Sequence, residues 1–296
     1  MKPAKAWARI QFKNILFATD FSPASAAAVP FASELARRYG AKLYALHVRP
    51  PAVDLITPPE AWRGLEEAAK EEEEQHTKEL LNAFAGIQPE ILIKEGGLWS
   101  SLTNAIEENN VDLIVMGTRG RSGIQKLLLG STAEKIFRQA PCPVLAIGPN
   151  AWVSGKQAGE ISRILFATDF NPESNAAPYA VSLAQEYEAG LTLLHVIEES
   201  RVSDVVRAAE MVKSSAQQLR DLVPSEAALW CVSEYLVEQG DAAETILEVA
   251  ARRRAELIVL GARRPSGIPG VATHLPIAVA HKVVSHAACP VLIVRD

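Results

Sequence analysis

Cysteine is scarce in this chain: Cys142, Cys231 and Cys289 are the only three among 296 residues. That is too few, at too wide a spacing, for a disulfide framework or a CxxC metal site, and the three read as small packing residues. Long apolar runs are missing as well. No stretch approaches the roughly 18 residues that a bilayer-spanning helix needs, and the first nine residues are too polar for a secretory signal, so a cytoplasmic protein without membrane contact is expected. Positive charge is not in excess. Thirty Lys and Arg against 35 Asp and Glu leave a net charge of −5, which disfavours a nucleic-acid partner. What is present is the composition of a folded soluble protein, 48% apolar and 22% charged. At roughly 150 residues per domain the length predicts two domains.

Comparing the chain with itself sets the organisation. NILFATDF, beginning at Asn14, returns as RILFATDF, beginning at Arg163, with seven consecutive identities. Leu46-His47-Val48 returns as Leu194-His195-Val196, and Cys142-Pro143-Val144-Leu145 as Cys289-Pro290-Val291-Leu292. Asp112-Leu113-Ile114-Val115 corresponds to Glu256-Leu257-Ile258-Val259. The spacings drift only between 144 and 149 residues, as loop insertions produce between two copies of one fold. A tandem duplication follows, with units at 10–149 and 161–296 and a polar linker at 150–160.

Each half alternates short apolar runs with helix-patterned segments; in the first half the runs are 15–18, 43–48, 91–93, 113–116 and 144–147. They are continuously apolar and not alternating, which predicts parallel strands covered by helices on both faces. The expected fold is α/β, two tandem doubly wound five-stranded parallel sheets. Ser22 and Pro23 predict a helix start and Gly40 its end, with Asn171-Pro172 and Gly190 as the second-half counterparts. Another helix is predicted over 60–85, its Glu71 to Glu74 run a solvated face.

In such a sheet, ligands bind beyond the carboxyl ends of the strands where connections diverge to opposite faces. Asp20 follows the first strand. The fourth is followed by Gly117 and Gly120 and then, nine residues on, by Gly130-Ser131-Thr132. Glycines let amides approach an anion closely, and Gly130-Ser131 opens a helix whose free N–H groups attract negative charge. This arrangement suits a polyphosphate. It can equally be read as turn glycines and a helix cap, with Ser131 and Glu134 forming a capping box.

These residues resemble the universal stress protein family in its tandem form, over nearly the whole chain. The resemblance implies a Rossmann-like sheet of order 3-2-1-4-5 and nucleotide binding through G-2x-G-9x-G-(S/T), here Gly117, Gly120, Gly130 and Ser131. It further implies Asp20 at the adenosine portion, Val48 holding adenine through its backbone, and Met116 and Thr132 lining the site, for ATP with Mg²⁺. It also implies that two domains pair through their fifth strands. An apolar edge strand is an aggregation hazard unless covered, so pairing 144–147 with 291–294 inside one chain makes physical sense. The result would be a pseudo-dimer, either alone or in a homodimer.

The second copy keeps Asp169, Val196 and Gly261 but has Arg264 where Gly120 stands. Counting forward then reaches His274, and counting back from Cys289 places Ile277-Ala278 against Gly130-Ser131. Pro265, Pro269 and Pro276 remove amide donors. One ATP per chain is expected, in the first half. His47 and His195 read as satisfied core residues, and no Walker A sequence, catalytic triad or metal-ligand spacing occurs. No catalytic residue is assigned, and the expected role is a stress-response module with little turnover. A slow ATPase or nucleotidyl-transfer enzyme, and a nucleotide-free dimerisation scaffold, are the alternatives.

Overall fold

The computed structural model describes residues 9–49, 59–84, 86–118, 131–151, 161–171, 174–198, 205–262 and 275–295. In the first half the strands are β1 (Asn14–Ala18), β2 (Lys42–Arg49), β3 (Glu90–Glu95), β4 (Leu113–Gly117) and β5 (Val144–Ile147). In the second they are β6 (Arg163–Ala167), β7 (Gly190–Ile197), β8 (Ser233–Gln239), β9 (Leu257–Ala262) and β10 (Val291–Arg295). All ten join in one sheet of order β3-β2-β1-β4-β5-β10-β9-β6-β7-β8. Within each half every pairing is parallel, whereas β5 and β10 meet antiparallel, with Leu145 opposite Leu292. Each half is therefore a doubly wound α/β unit in which the first strand lies between the second and the fourth.

The continuous apolar runs follow from burial on both faces. Along β1, Ile15 and Phe17 enter one core cluster and Leu16 enters the other, all three fully buried. Both clusters cross from one half into the other: the first joins Leu145 to Leu292, the second Val144 to Val291. A Phe removed from such a site costs about 3–5 kcal/mol.

The first connection departs from the sequence reading. In place of one helix there are two, α1 (Pro23–Ala26) and α2 (Val29–Tyr39). Ser22 caps α1 as expected, its hydroxyl accepting from the Ser25 N–H at 3.2 Å, and Gly40 ends α2 in the left-handed conformation. Pro30 explains the break, because it has no N–H to donate to the Ala26 carbonyl four residues back. The second half differs further. Its helix α6 (Ala176–Glu186) starts at an Asn175 cap, Pro172 lies outside the described residues, and Glu188, not Gly190, takes the left-handed turn, with φ 50°. Gly190 is already in β7, donating its N–H to the Ser162 carbonyl at 2.9 Å.

Helix α3 (Pro59–Ala83) fills the interval foreseen at 60–85, but its acidic run is not wholly solvated. Glu73 is mostly buried and pairs with Arg49 at 3.1 Å, while Glu71, Glu72 and Glu74 are exposed. The remaining helices are α4 (Leu98–Glu108), α5 (Ser131–Gln139), α7 (Val205–Asp221), α8 (Ala242–Arg253) and α9 (Leu275–His286). No described helix is long and apolar enough to cross a membrane.

Helices α2 and α6 approach each other over the β5–β10 seam. Arg38 stacks its guanidinium 4.0 Å over the Tyr187 ring and donates to the Glu186 carbonyl at 3.1 Å. At the far side of the seam Gly148 passes so close to α9 that a Cβ there would lie 2.2 Å from the Val284 carbonyl oxygen.

The three cysteines are buried and form no disulfide. Burial pushes the Cys142 thiol up to about 12. At pH 8 in native protein, Cys142 should therefore resist alkylation by iodoacetamide until the chain is unfolded. Mass spectrometry after a short pulse checks this, and rapid native labelling would show that the site opens.

Candidate functional site

Three neighbouring strands bring part of the sequence-derived set together. Ala18 in β1 is level with Leu46 in β2 and Met116 in β4. Asp20, Val48 and Gly117 thus emerge side by side at the carboxyl edge, at the switch point where β1 lies between β2 and β4. Met116 is buried in the core, while Val48 and Gly117 are partly exposed. Gly120 and Gly130 lie outside the described residues, as do Arg264, Pro265, Pro269 and His274. Ser131 and Thr132 are placed as the first residues of α5, which leads back to β5.

The turn after β1 is built by its own side chains. The Thr19 hydroxyl accepts from the Phe21 N–H at 3.0 Å, and Asp20 Oδ1 accepts from the Ser22 N–H at 3.0 Å. Phe21 takes φ 59°, a strained value for a residue with a Cβ. His47 Nδ1 lies 3.0 Å from the Thr19 carbonyl oxygen. A carbonyl only accepts, so Nδ1 carries a proton. The ring of Phe21 packs between His47 and His76, at centroid distances of 4.4 and 5.3 Å.

The second copy repeats this unit. Phe170 has φ 59°, Asp169 Oδ1 accepts from the Asn171 N–H at 3.1 Å, and His195 Nδ1 lies 2.8 Å from the Thr168 carbonyl. One oxygen of each aspartate is engaged in forming its turn. Asp20 and Asp169 therefore share a structural role. The strand histidines, expected in the core, are only partly buried, and each is held through Nδ1 by the carbonyl of the threonine after the first strand of its copy.

Gly117 has a packing duty that spacing alone did not disclose. A Cβ on it would sit 2.2 Å from the Ala24 carbonyl oxygen, so the helix-start turn of α1 occupies the space a side chain would need. At Gly261, the counterpart, the nearest atom is the Ser174 hydroxyl at 2.6 Å, the end of a side chain that can rotate.

The helices after the fourth strands finish at equivalent places, Gln139 and His286. Ala278, which counting back from Cys289 matches with Ser131, is the fourth residue of α9 and interior to it. Pro276 occupies the first turn of α9 without a donor. Among the described residues no cluster of His, Cys, Asp and Glu suits a metal ion.

A model of the universal stress protein family matches residues 11–148 and again 160–295. The chain belongs to the universal stress protein family. A universal stress protein of Mycolicibacterium smegmatis is 30% identical over 299 residues, covering 95% of this chain and 97% of that one. A universal stress protein of Methanocaldococcus jannaschii is 32% identical over 139 residues, covering 46% of this chain and 82% of its own length. Among solved structures, a universal stress protein from Archaeoglobus fulgidus superposes with a TM-score of 0.66 at 22% identity, covering 97% of this chain and 99% of that one. It shares the fold of this tandem universal stress protein.

Proposed function

We propose that this tandem universal stress protein binds one ATP, with Mg²⁺, in the unit at 10–149, and that the unit at 161–296 binds none. Occupancy would bias conformation or partner choice in a cytoplasmic stress response, with little turnover. One observation carries the reading. The first copy combines Gly117, Gly120, Gly130 and Ser131 at the spacing of an anion cradle, after a strand whose end lies beside Asp20 and Val48. The second copy has Arg264 in place of the second glycine, and a helix that runs through the position of Ser131. Amides at a helix start and beside glycines suit a triphosphate; a prolyl first turn lacks a donor.

Val48 would hold adenine by its main chain, while Met116 and Thr132 would line the site and Asp20 would contact the adenosine portion. No general base or second carboxylate is assigned to activate water, which is why turnover is expected to be slight.

Calorimetric titration with MgATP is expected to give one site per chain. At 100 times the dissociation constant the ligand should stabilise the fold by about 2.7 kcal/mol. Gly130→Val should weaken binding at least tenfold without moving the melting temperature of the free protein. Two sites per chain, or an unchanged melting curve in saturating nucleotide, would refute the reading. Repeated release of ADP that stops in Asp20→Asn, with binding retained, would favour an enzyme instead.

A further inference from the structure

The two copies differ at the opposite, amino end of their sheets. In the first half Lys42 and Tyr44 project from β2 to the same side, beside Asn14 of β1 and Glu90 of β3. The Tyr44 ring is buried, the Lys42 ammonium lies 4.6 Å from its centroid, and that ammonium also pairs with Glu90 at 2.8 Å. The space is filled.

The strand registers assign each of these residues a counterpart. Arg163 opposes Gly190 as Asn14 opposes Lys42, and Thr192 opposes Glu234 as Tyr44 opposes Glu90. The second half thus has glycine for lysine and threonine for tyrosine, and it keeps the glutamate. Where the ring and the lysine stem would stand there is a cavity of about 230 Å³. Its apolar wall includes Leu165 and Ala255, and its rim carries Val232, 84% exposed.

The charges have changed as well. Arg254 and Asn110 both take a left-handed φ at the end of the equivalent helices α8 and α4, which matches Arg253 with Asn109. Arginine therefore replaces asparagine twice, at Arg163 and Arg253, while lysine is lost once. Arg163 pairs with Glu256, the counterpart of Asp112, and Arg253 pairs with Glu234. The open pocket has two guanidinium groups at its mouth where its filled twin has none, although Ser162 replaces Lys13 and leaves the net charge there unchanged. Guanidinium groups receive carboxylates in planar, bidentate fashion and stack on aromatic faces.

We propose that the second half binds a small aromatic monoanion, of the benzoate class, in this pocket. The ring would take the volume that Tyr44 fills in the first half, and its carboxylate would meet Arg253 and Arg163 at the mouth. The site lies at the other end of the strands from the nucleotide crevice and does not depend on it.

Benzoate titrated into the full chain, followed through the amide resonances of Leu191 and Thr192, should saturate at one site. The double variant Gly190→Lys, Thr192→Tyr restores the residues of the first half. A Cβ at position 190 would meet only the Ser162 and Val232 carbonyl oxygens, at 3.8 and 3.9 Å, so the lysine is accommodated. That variant should lose benzoate binding at least tenfold while keeping its melting temperature. Arg253→Gln leaves the cavity open and should weaken binding by a similar factor, which covers the case in which the double variant does not fold. Benzylamine, of the same shape and opposite charge, should bind at least tenfold more weakly than benzoate. No saturation by benzoate, equal binding by the filled variant, or tighter binding of benzylamine would each overturn the assignment.

Discussion

Gly117→Val should be among the most destabilising single substitutions in the first half, by about 3 kcal/mol or more, with or without nucleotide present. The added Cβ alone would fall 2.2 Å from the Ala24 carbonyl oxygen. Backbone cannot rotate out of the way as a side chain does, so either β4 or the capped turn of α1 must move. That turn is held by the Ser22 cap and by a Thr19–Ser25 hydroxyl contact at 3.0 Å, both of which shifting α1 would break. Gly261→Ala is the internal control. Its new Cβ would meet the Ser174 hydroxyl, which can adopt another rotamer, and the loss should stay below about 1 kcal/mol. Urea denaturation of both variants measures the contrast, and equal losses would show that the turn of α1 yields as easily as a side chain. Loss of nucleotide affinity in a Gly117 variant consequently does not by itself report on phosphate contact.

Gly148→Val should act on the seam between the halves. Its side chain would drive into the Val284 carbonyl of α9, where the free space ends 2.2 Å from the Cβ position. The strand pairing there is short, three residue pairs between β5 and β10, and the Asn150 side chain adds a hydrogen bond to the His286 carbonyl at 3.1 Å. A forced separation of β5 from α9 should cost about 3 kcal/mol. It should also divide a single unfolding transition into two, because each half retains its own parallel sheet and helices. Calorimetry would read the split directly. A single transition at an unchanged temperature would mean that α9 shifts at little cost.

The strands were legible because burial on two faces writes itself into sequence as runs without alternation, and Ile15, Leu16 and Phe17 are a clear instance. Repetition helped more, since seven identical residues around the first turn fixed the equivalence of the copies before any element was assigned. Helix ends were read less well. Gly190 looked like a helix stop, but Glu188 makes that turn, which a glutamate can do at modest cost when the next strand holds it. Pro30 should have signalled the break between α1 and α2, because a proline beyond the first turn removes a hydrogen bond. At the site, spacing found the residues that gather at the carboxyl edge but could not separate duties. Whether Gly117 is small for a ligand or for Ala24 depends on the path of another segment, and Asp20 gave no sign that its twin makes the same turn. The amino-end pocket was hidden for a related reason: a cavity is made by what is missing, and Gly190 and Thr192 carry no motif.

The contact of Arg38 with Tyr187 bears on how such a protein can evolve. The left-handed residues that end the two helices, Gly40 and Glu188, are 148 apart, so Tyr187 is the counterpart of Tyr39 and Arg38 that of Glu186. A cation now rests on a ring across the join. Two copies of the earlier half brought together in the same way would still offer Arg38 a tyrosine, Tyr39, whereas two of the later half would put Glu186 where Arg38 stands and forfeit the cation. The ring is common to both halves and the cation belongs to the earlier one alone, so the later half has come to lean on its neighbour for this contact.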